Sequence, residues 1–555
     1  MIIQLKVCYT FFDLKIKNGG LSMNKKVLTL FLILVISTSF IFIACGDENS
    51  SDDKQDKQVS KNEKEDEGKK VEGGQMIFRV SSDSRVIHPL YGNDRTTLTL
   101  VNHIFAPLYN LKGEDIDYWL AEKVEPSEDY LSYKVKLKDE LTWHDGEVLD
   151  ADDLVFTFNT IMDKKQGSHL RDSFVTTEGE VKIEKIDDLT VKFILPEVQI
   201  GFLDTIGGIR MFPEHVYGDI ENIQASDVNN NPVGSGSFKF EERKSGESIT
   251  LSKFDNFFKG TPHLDNVVYR VIPETSSAEI ALQNGEIDAM SITADKVEKF
   301  EESNNILAFD EDRLDYIIFN QNGGKLDNEN LRKAIAYALD RDELLKANYL
   351  STDYAKPAYS FFADKTLYKT DDVEKYEYNI EKAKELLEES GLKDINLTMV
   401  YRGKDNVREL LVQQYLKEIG INVELKAMDM ASFFNALFEK EHQDEYDLAF
   451  NGYIYGKEPS TYAQVFKAES MNNVSGYKNE EVDKLWDEAA KEKDSSKREK
   501  LYEKIQKEII KDAAMYPIDY GYAIVAVNPK FKGLEDAAPA PIHMFDDLSQ
   551  IYMVE

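Results

Sequence analysis

Cysteine is nearly absent from this sequence. Of 555 residues only Cys8 and Cys45 are cysteine, so neither a disulfide framework nor a thiolate zinc cluster can hold the fold, which must rest on packed cores. Histidine is scarce too. His88, His103, His144, His169, His215, His263, His442 and His543 are scattered without metal-ligand spacing, and no HExxH occurs. Gly234-Ser235-Gly236-Ser237 is not a GxSxG elbow, and hydrolase chemistry needs a nucleophile held beside a base. An enzyme is therefore not expected, and no catalytic residue, metal or cofactor is assigned. Basic residues are outnumbered, with 67 Lys and Arg against 102 Asp and Glu and a net charge of −35. That balance repels phosphate backbones and anionic lipid surfaces, excluding nucleic acid as a partner, and it favours a soluble monomer.

What is present begins with an address. Asn24-Lys25-Lys26 precedes an apolar run over 27–44, which meets Cys45-Gly46-Asp47-Glu48. A positive start, an apolar middle and a small residue before a cut mark an export signal. Phe42-Ile43-Ala44-Cys45 resembles the lipobox of bacterial lipoproteins, although a smaller aliphatic residue is usual at Phe42. The resemblance implies lipidation of Cys45 and residence on the outer face of the cytoplasmic membrane. The signal reads best from Met23, leaving 1–22 as an upstream extension within the 1–44 segment. Residues 45–72 are polar and acidic, too poor in apolar groups to fold, and suit a flexible tether.

Beyond the tether, hydrophobic residues are 42% of the chain and aromatics 11%, enough for two or three lobes of roughly 100–200 residues each. Strand-like runs occur at 133–137, 190–195, 248–252, 267–272 and 316–320. Acidic residues before Leu154 predict a helix start, Asn379 and Gly391 predict the two ends of another, and Leu331, Ile335, Ala338 and Leu339 predict one buried stripe over 330–345. Strands and helices alternate without a short repeat, which gives an α/β fold. Trp143 is expected in a core, Gly146 in a turn with φ > 0, and Gly234 and Gly236 on a tight backbone course between lobes.

Eight fragments in order carry a resemblance: GGQMIFRV (73–80), HIFAPLYNL (103–111), LKDELTWHDGEVLDADDLVFTF (137–158), NPVGSGSFKF (231–240), FDNFFKGTPHLDNVVYRVI (254–272), ALQNGEIDAM (281–290), DYIIFNQN with LRKAIAYALDRDELL (315–345) and YDLAFNGYIYGKEPSTY (446–462). Together they resemble the peptide (oligopeptide, dipeptide, nickel) binding family of ABC importer subunits. The resemblance implies a two-lobed periplasmic-binding-protein-like clamshell with a hinge. Lobe I takes 73–118, 234–315 and 520–555, an extra subdomain takes 119–233, and lobe II takes 316–519, with the hinge at crossings near Asp315 and Asp519. It further implies capture of a peptide, with an oligopeptide favoured, for an ABC permease and its ATPase subunits. A non-peptide ligand such as a nickel chelate, or a sensory receptor in place of a permease, is the alternative.

The family's ligand lies between the lobes. The matching second-lobe loop is Tyr453-Ile454-Tyr455-Gly456-Lys457-Glu458-Pro459, with Tyr453–Lys457 expected in the binding wall, and the first-lobe wall is Gly92-Asn93-Asp94-Arg95. Peptide-binding members carry an aspartate for the ligand α-amine where this chain has Gly456, and Glu441 stands near the place of a carboxylate-binding arginine. An extended peptide held along its backbone needs neither anchor, although Asp94 or Glu441 could replace the lost acid.

Overall fold

The computed structural model describes residues 68–555, with Arg85, Asn93, Gly113, Glu114, His169, Thr177, residues 403–406, Tyr455 and Pro541 outside the described set. The signal, Cys45 and most of the tether therefore lie outside the described residues, as do the site candidates Asn93 and Tyr455.

The first lobe opens with β1 (Gln75–Val80) and α1 (Arg95–Ile104). A separate four-stranded antiparallel sheet follows, made of β2 (Ala121–Pro126), β3 (Ser132–Leu137), β4 (Lys182–Asp187) and β5 (Thr190–Ile194) in the order β2-β3-β5-β4. Helix α2 (Ala151–Met162) packs on it, and the short α3 (Phe202–Gly207) comes after it. Asp150 and Asp153 form a capping box that starts α2, satisfying first-turn N–H groups that no helix can pair internally. Asp153 also accepts from the indole of fully buried Trp143 at 3.0 Å.

The chain then enters the main sheet through β6 (Phe238–Lys244), β7 (Ser248–Lys253), β8 (Asn266–Val271) and β9 (Ala289–Ile292). Next comes β10 (Asn305–Phe319), 15 residues long. The second lobe follows with α4 (Glu329–Ala338), α5 (Arg341–Tyr349), β11 (Ala355–Pro357), α6 (Ile380–Glu389), β12 (Asn396–Arg402), β13 (Asn422–Met428), β14 (Leu448–Ile454), α7 (Glu480–Lys491) and α8 (Ser495–Lys511). The 13-residue β15 (Met515–Val527) returns to the first lobe. The strand order is β6-β7-β8-β1-β9-β15-β10-β14-β12-β13, with β11 also on β15, eleven strands in all.

One large core gathers residues from Met76 to Tyr269 with the C-terminal segment, and another runs from Leu314 to Tyr520. Among the described residues, only β10 and β15 serve both. They pair along almost their whole length, with register shifts at Asp310/Arg313 and at Asp315/Tyr316. Such irregularities bend a strand and raise its local twist. Between the two shifts Asp315 pairs directly with Asp519.

Three local expectations change. The strand expected at 316–320 begins at Asn305, because the apolar run 306–309 also pairs with β15 and the strand continues across the charged stretch 310–313 through a register shift. The stripe at 330–345 is two helices, broken where Leu339 is extended and Asp340 caps α5 by accepting from Glu343 N–H. Gly234 and Gly236 do not lie between lobes. They press on the Ile104 and His103 carbonyls at the end of α1, where a Cβ would collide with backbone oxygen. Gly146 has φ 94°.

Candidate functional site

The C-terminal ends of β1 and β9 meet the N-terminus of α1, and a cavity of about 300 Å3 opens there. Crevices outside the carboxyl ends of strands are the usual ligand position in such sheets. Asp94 is the N-cap of α1 and accepts from Thr97 N–H at 2.9 Å and from the Thr97 hydroxyl at 2.6 Å. Its carboxylate is thus committed to the helix. Arg95 follows, half exposed over the cavity, donating to the Ile542 carbonyl at 3.1 Å and to the buried Glu311 carboxylate at 3.4 Å. Glu311 also accepts from Ile542 N–H. Thr96, Thr99 and Ser291 add hydroxyls to the lining.

A second cavity, of about 320 Å3, lies between α1, α3 and the segment after Ile209. It shares Ile542 and His543 with the first. The same α3 segment touches the second lobe. A Cβ on Gly201 would stand 2.8–3.0 Å from Ser460 and Glu458, and Ile200 N–H donates to the Ala490 carbonyl at 3.1 Å. Glu197 pairs with Lys491 at 2.7 Å, and Lys493 donates to the Asp129 carbonyl at 2.7 Å. The lobes are thus in contact along this seam; the second cavity reaches it through α3, and the first cavity adjoins the second at Ile542 and His543.

On the second-lobe side, β14 carries the predicted loop. Tyr453 is buried, packs against Tyr316 and Tyr462, and donates to the Phe361 carbonyl at 2.5 Å. Ile454 is half-buried and pairs with Arg313. Gly456 has φ 75°, and a Cβ there would meet nothing within 4 Å. Its carbonyl accepts from the Thr366 hydroxyl at 3.2 Å. Half-buried Lys457 holds Leu367 N–H through its carbonyl, and its charge bears on Asp312 and Asp204. Asp204, on α3, is pushed up to about 6 by burial and by Glu458, with Lys457 opposing. Glu441 is exposed on the turn Lys440–Glu445.

Charges concentrate where β10 and β15 cross. Asp315 takes Arg313 at 2.7 Å and Arg408 at 3.4 Å. Its partner Asp519 is fully buried, and burial first, then the Asp315 charge, hold its carboxyl well above the usual range. Arg408 and Arg313 pull the other way, as does the neighbouring Tyr349 hydroxyl. Behind the predicted loop, Glu458 forms a buried ion pair with Arg498 at 2.5 Å.

Arg95 lines a cavity, while Asp94 supports it and Tyr453 braces the β14 loop from within the second core. Sequence reasoning missed Glu311, Asp204, Ile542 and His543. The N-cap pattern at Asp94 was readable, but nothing local links residue 542 to residue 95. Among the described residues no group of three or more His, Cys, Asp or Glu could hold a metal ion, and no helix is long and apolar enough to cross a membrane.

Comparison with known proteins places this geometry. The oligopeptide-binding protein AppA of Bacillus subtilis (strain 168) is 29% identical over 528 residues, 88% of this chain and 93% of AppA. The solved ABC transporter substrate binding protein CtaP of Listeria monocytogenes has a TM-score of 0.84 at 43% identity, over 87% of this chain and 100% of its own. The structure of Bacillus subtilis AppA in complex with a nonapeptide has a TM-score of 0.76 at 26% identity, over 88% and 100%. These structures share the two-lobed clamshell. Residues 115–474, more than half of the chain, match the family described as bacterial extracellular solute-binding proteins, family 5 middle. The chain belongs to the bacterial extracellular solute-binding proteins of family 5.

Proposed function

We propose that this protein is the extracytoplasmic substrate-binding subunit of an ABC importer, which captures peptides between its lobes and delivers them to a membrane permease. The observation that carries the reading is the seam. The second cavity of the first lobe and the β14 loop of the second meet at one junction, and among the described residues only β10 and β15 contribute to both large cores. The relatives named for oligopeptide binding supply the ligand class.

The paired Asp315 and Asp519, flanked by register shifts, form the hinge of this reading. Ligand shifts the population toward closure because contacts from both lobes exist only in the closed form. Gly456 offers no side chain and its carbonyl is already engaged, so the peptide is held along its backbone rather than by its α-amine. A lipid on Cys45 would keep the protein beside its permease.

Calorimetric titration with a mixed peptide library, free and acetylated at the N-terminus, tests this, together with small-angle scattering. Binding of both forms with a smaller radius of gyration at saturation is expected. No binding, an unchanged radius or turnover of the peptide would overturn the function. Loss of binding on acetylation would overturn the backbone-held mode.

A further inference from the structure

The two first-lobe cavities differ in chemistry. The one under Arg95 is edged by the Arg95–Glu311 pair and by six hydroxyl-bearing residues, Ser81, Thr96, Thr99, Tyr269, Ser291 and Tyr522. The other is walled by Leu90, Leu98, Val101, Leu170, Ile209 and Ile542. Its three polar side chains all turn to protein neighbours. Thr205 donates to the Gly201 carbonyl at 3.2 Å. Arg210 donates to Asn102 and to the Phe105 carbonyl. His543 Nε2 meets the Asp546 carboxylate at 3.0 Å. His543 Nδ1 is buried without a hydrogen-bond partner, but most of what faces the cavity is carbon, and a mostly apolar space favours an apolar occupant over water.

We propose that this second cavity is a specificity pocket that takes one large aliphatic or aromatic side chain of the bound peptide. The occupant follows from continuity. The pocket shares Ile542 and His543 with the cavity at the strand ends, and its α3 wall belongs to the segment that meets the second lobe at Gly201. A volume of about 320 Å3 accommodates a side chain as large as that of Phe or Trp. The strand-end cavity, with its ion pair, takes a polar neighbour. In an extended peptide successive side chains point to opposite sides, so the pocket reads one position and not the whole sequence. The proposal rests on the reading that the peptide lies between the lobes.

The test uses the purified protein and a random-sequence nonapeptide library, with retained peptides identified by mass spectrometry. Retained peptides should be enriched at one position in Leu, Ile, Met, Phe, Tyr or Trp. Two variants fill the pocket. Leu98→Trp enlarges a half-buried wall residue. Gly208→Phe starts from an exposed glycine with φ −74° whose Cβ would meet nothing within 4 Å, so it keeps the test alive if the first variant misfolds. Each should weaken binding of an enriched peptide about tenfold or more, the usual worth of a filled apolar subsite. Binding of the same peptide with Ala at that position should be unchanged. Retention of peptides without apolar enrichment, or enrichment that persists in a folded filling variant, would overturn the pocket and leave the peptide-binding function standing. Retention of no peptide at all would overturn both.

Discussion

Replacing Arg498 by Met should destabilise the second lobe far more than loss of a surface ion pair. The Arg498 and Glu458 side chains are only 5% and 8% exposed, and their charged atoms stand 2.5 Å apart. Arg498 also donates to the Ala489 carbonyl at 3.1 Å and lies against the Tyr502 ring. Burial alone would favour the neutral guanidinium, but the adjacent carboxylate outweighs it and keeps the group charged. Methionine keeps much of the packing but leaves Glu458 with the Ser460 N–H as its remaining partner in this cluster. Stranding one charge of a buried pair costs about 3–5 kcal/mol, whereas exposed pairs contribute about 0–1 kcal/mol. Taking about 4 kcal/mol, the folding constant of the lobe falls roughly a thousandfold. Removing both charges in Arg498→Met with Glu458→Met should recover most of the loss, because the stranded charge is gone. Urea unfolding followed by fluorescence measures this, with Trp486 the only tryptophan of the second lobe and buried beside Tyr502. A single-variant cost below about 1 kcal/mol, or a double variant no better than the single, would refute the reasoning.

Asp519→Asn should raise neutral-pH stability and flatten its pH dependence. Burial and Asp315 raise the folded carboxyl above its ordinary 3.8, so the native state holds a proton that the unfolded chain releases. The resulting stability is fully present below the unfolded value and is lost as pH rises through the folded one. Thermal unfolding from pH 4 to 9 checks the sign, and an Asn variant as pH-dependent as the parent contradicts it. Gly201→Leu, whose side chain would strike Glu458 and Ser460, should weaken peptide binding about tenfold through impaired closure while leaving the unfolding transition in place. Unchanged affinity in calorimetry would remove α3 from the closed contact. Cys45→Ser should abolish acylation and release the protein from membranes or leave an uncleaved precursor. Normally acylated, membrane-bound variant protein would end the lipoprotein reading.

The α/β class, the family and those local starts that a cap marks were legible in the order of residues. Ser, Asp and Asn caps act within four residues, so the starts of α2 at Asp150 and of α6 at Asn379 could be read directly. The run Tyr316–Phe319 is buried throughout, as its apolar pattern required. The break at Asp340 was missed because Leu331, Ile335 and Leu339 keep helical spacing across it and are all buried. The first part of β10 was missed because Asp310, Glu311, Asp312 and Arg313 interrupt its apolar pattern, and the residues on either side of that break are held as strand by pairing with β15, some 200 residues away. The site itself came only from the folded chain. Folding turned Asp94 into a cap, put Tyr453 inside a core, and set Arg95 beside Glu311 and Ile542. Ligand walls are assembled from segments far apart in the chain, and no local propensity reports which distant segments a sheet order will bring together.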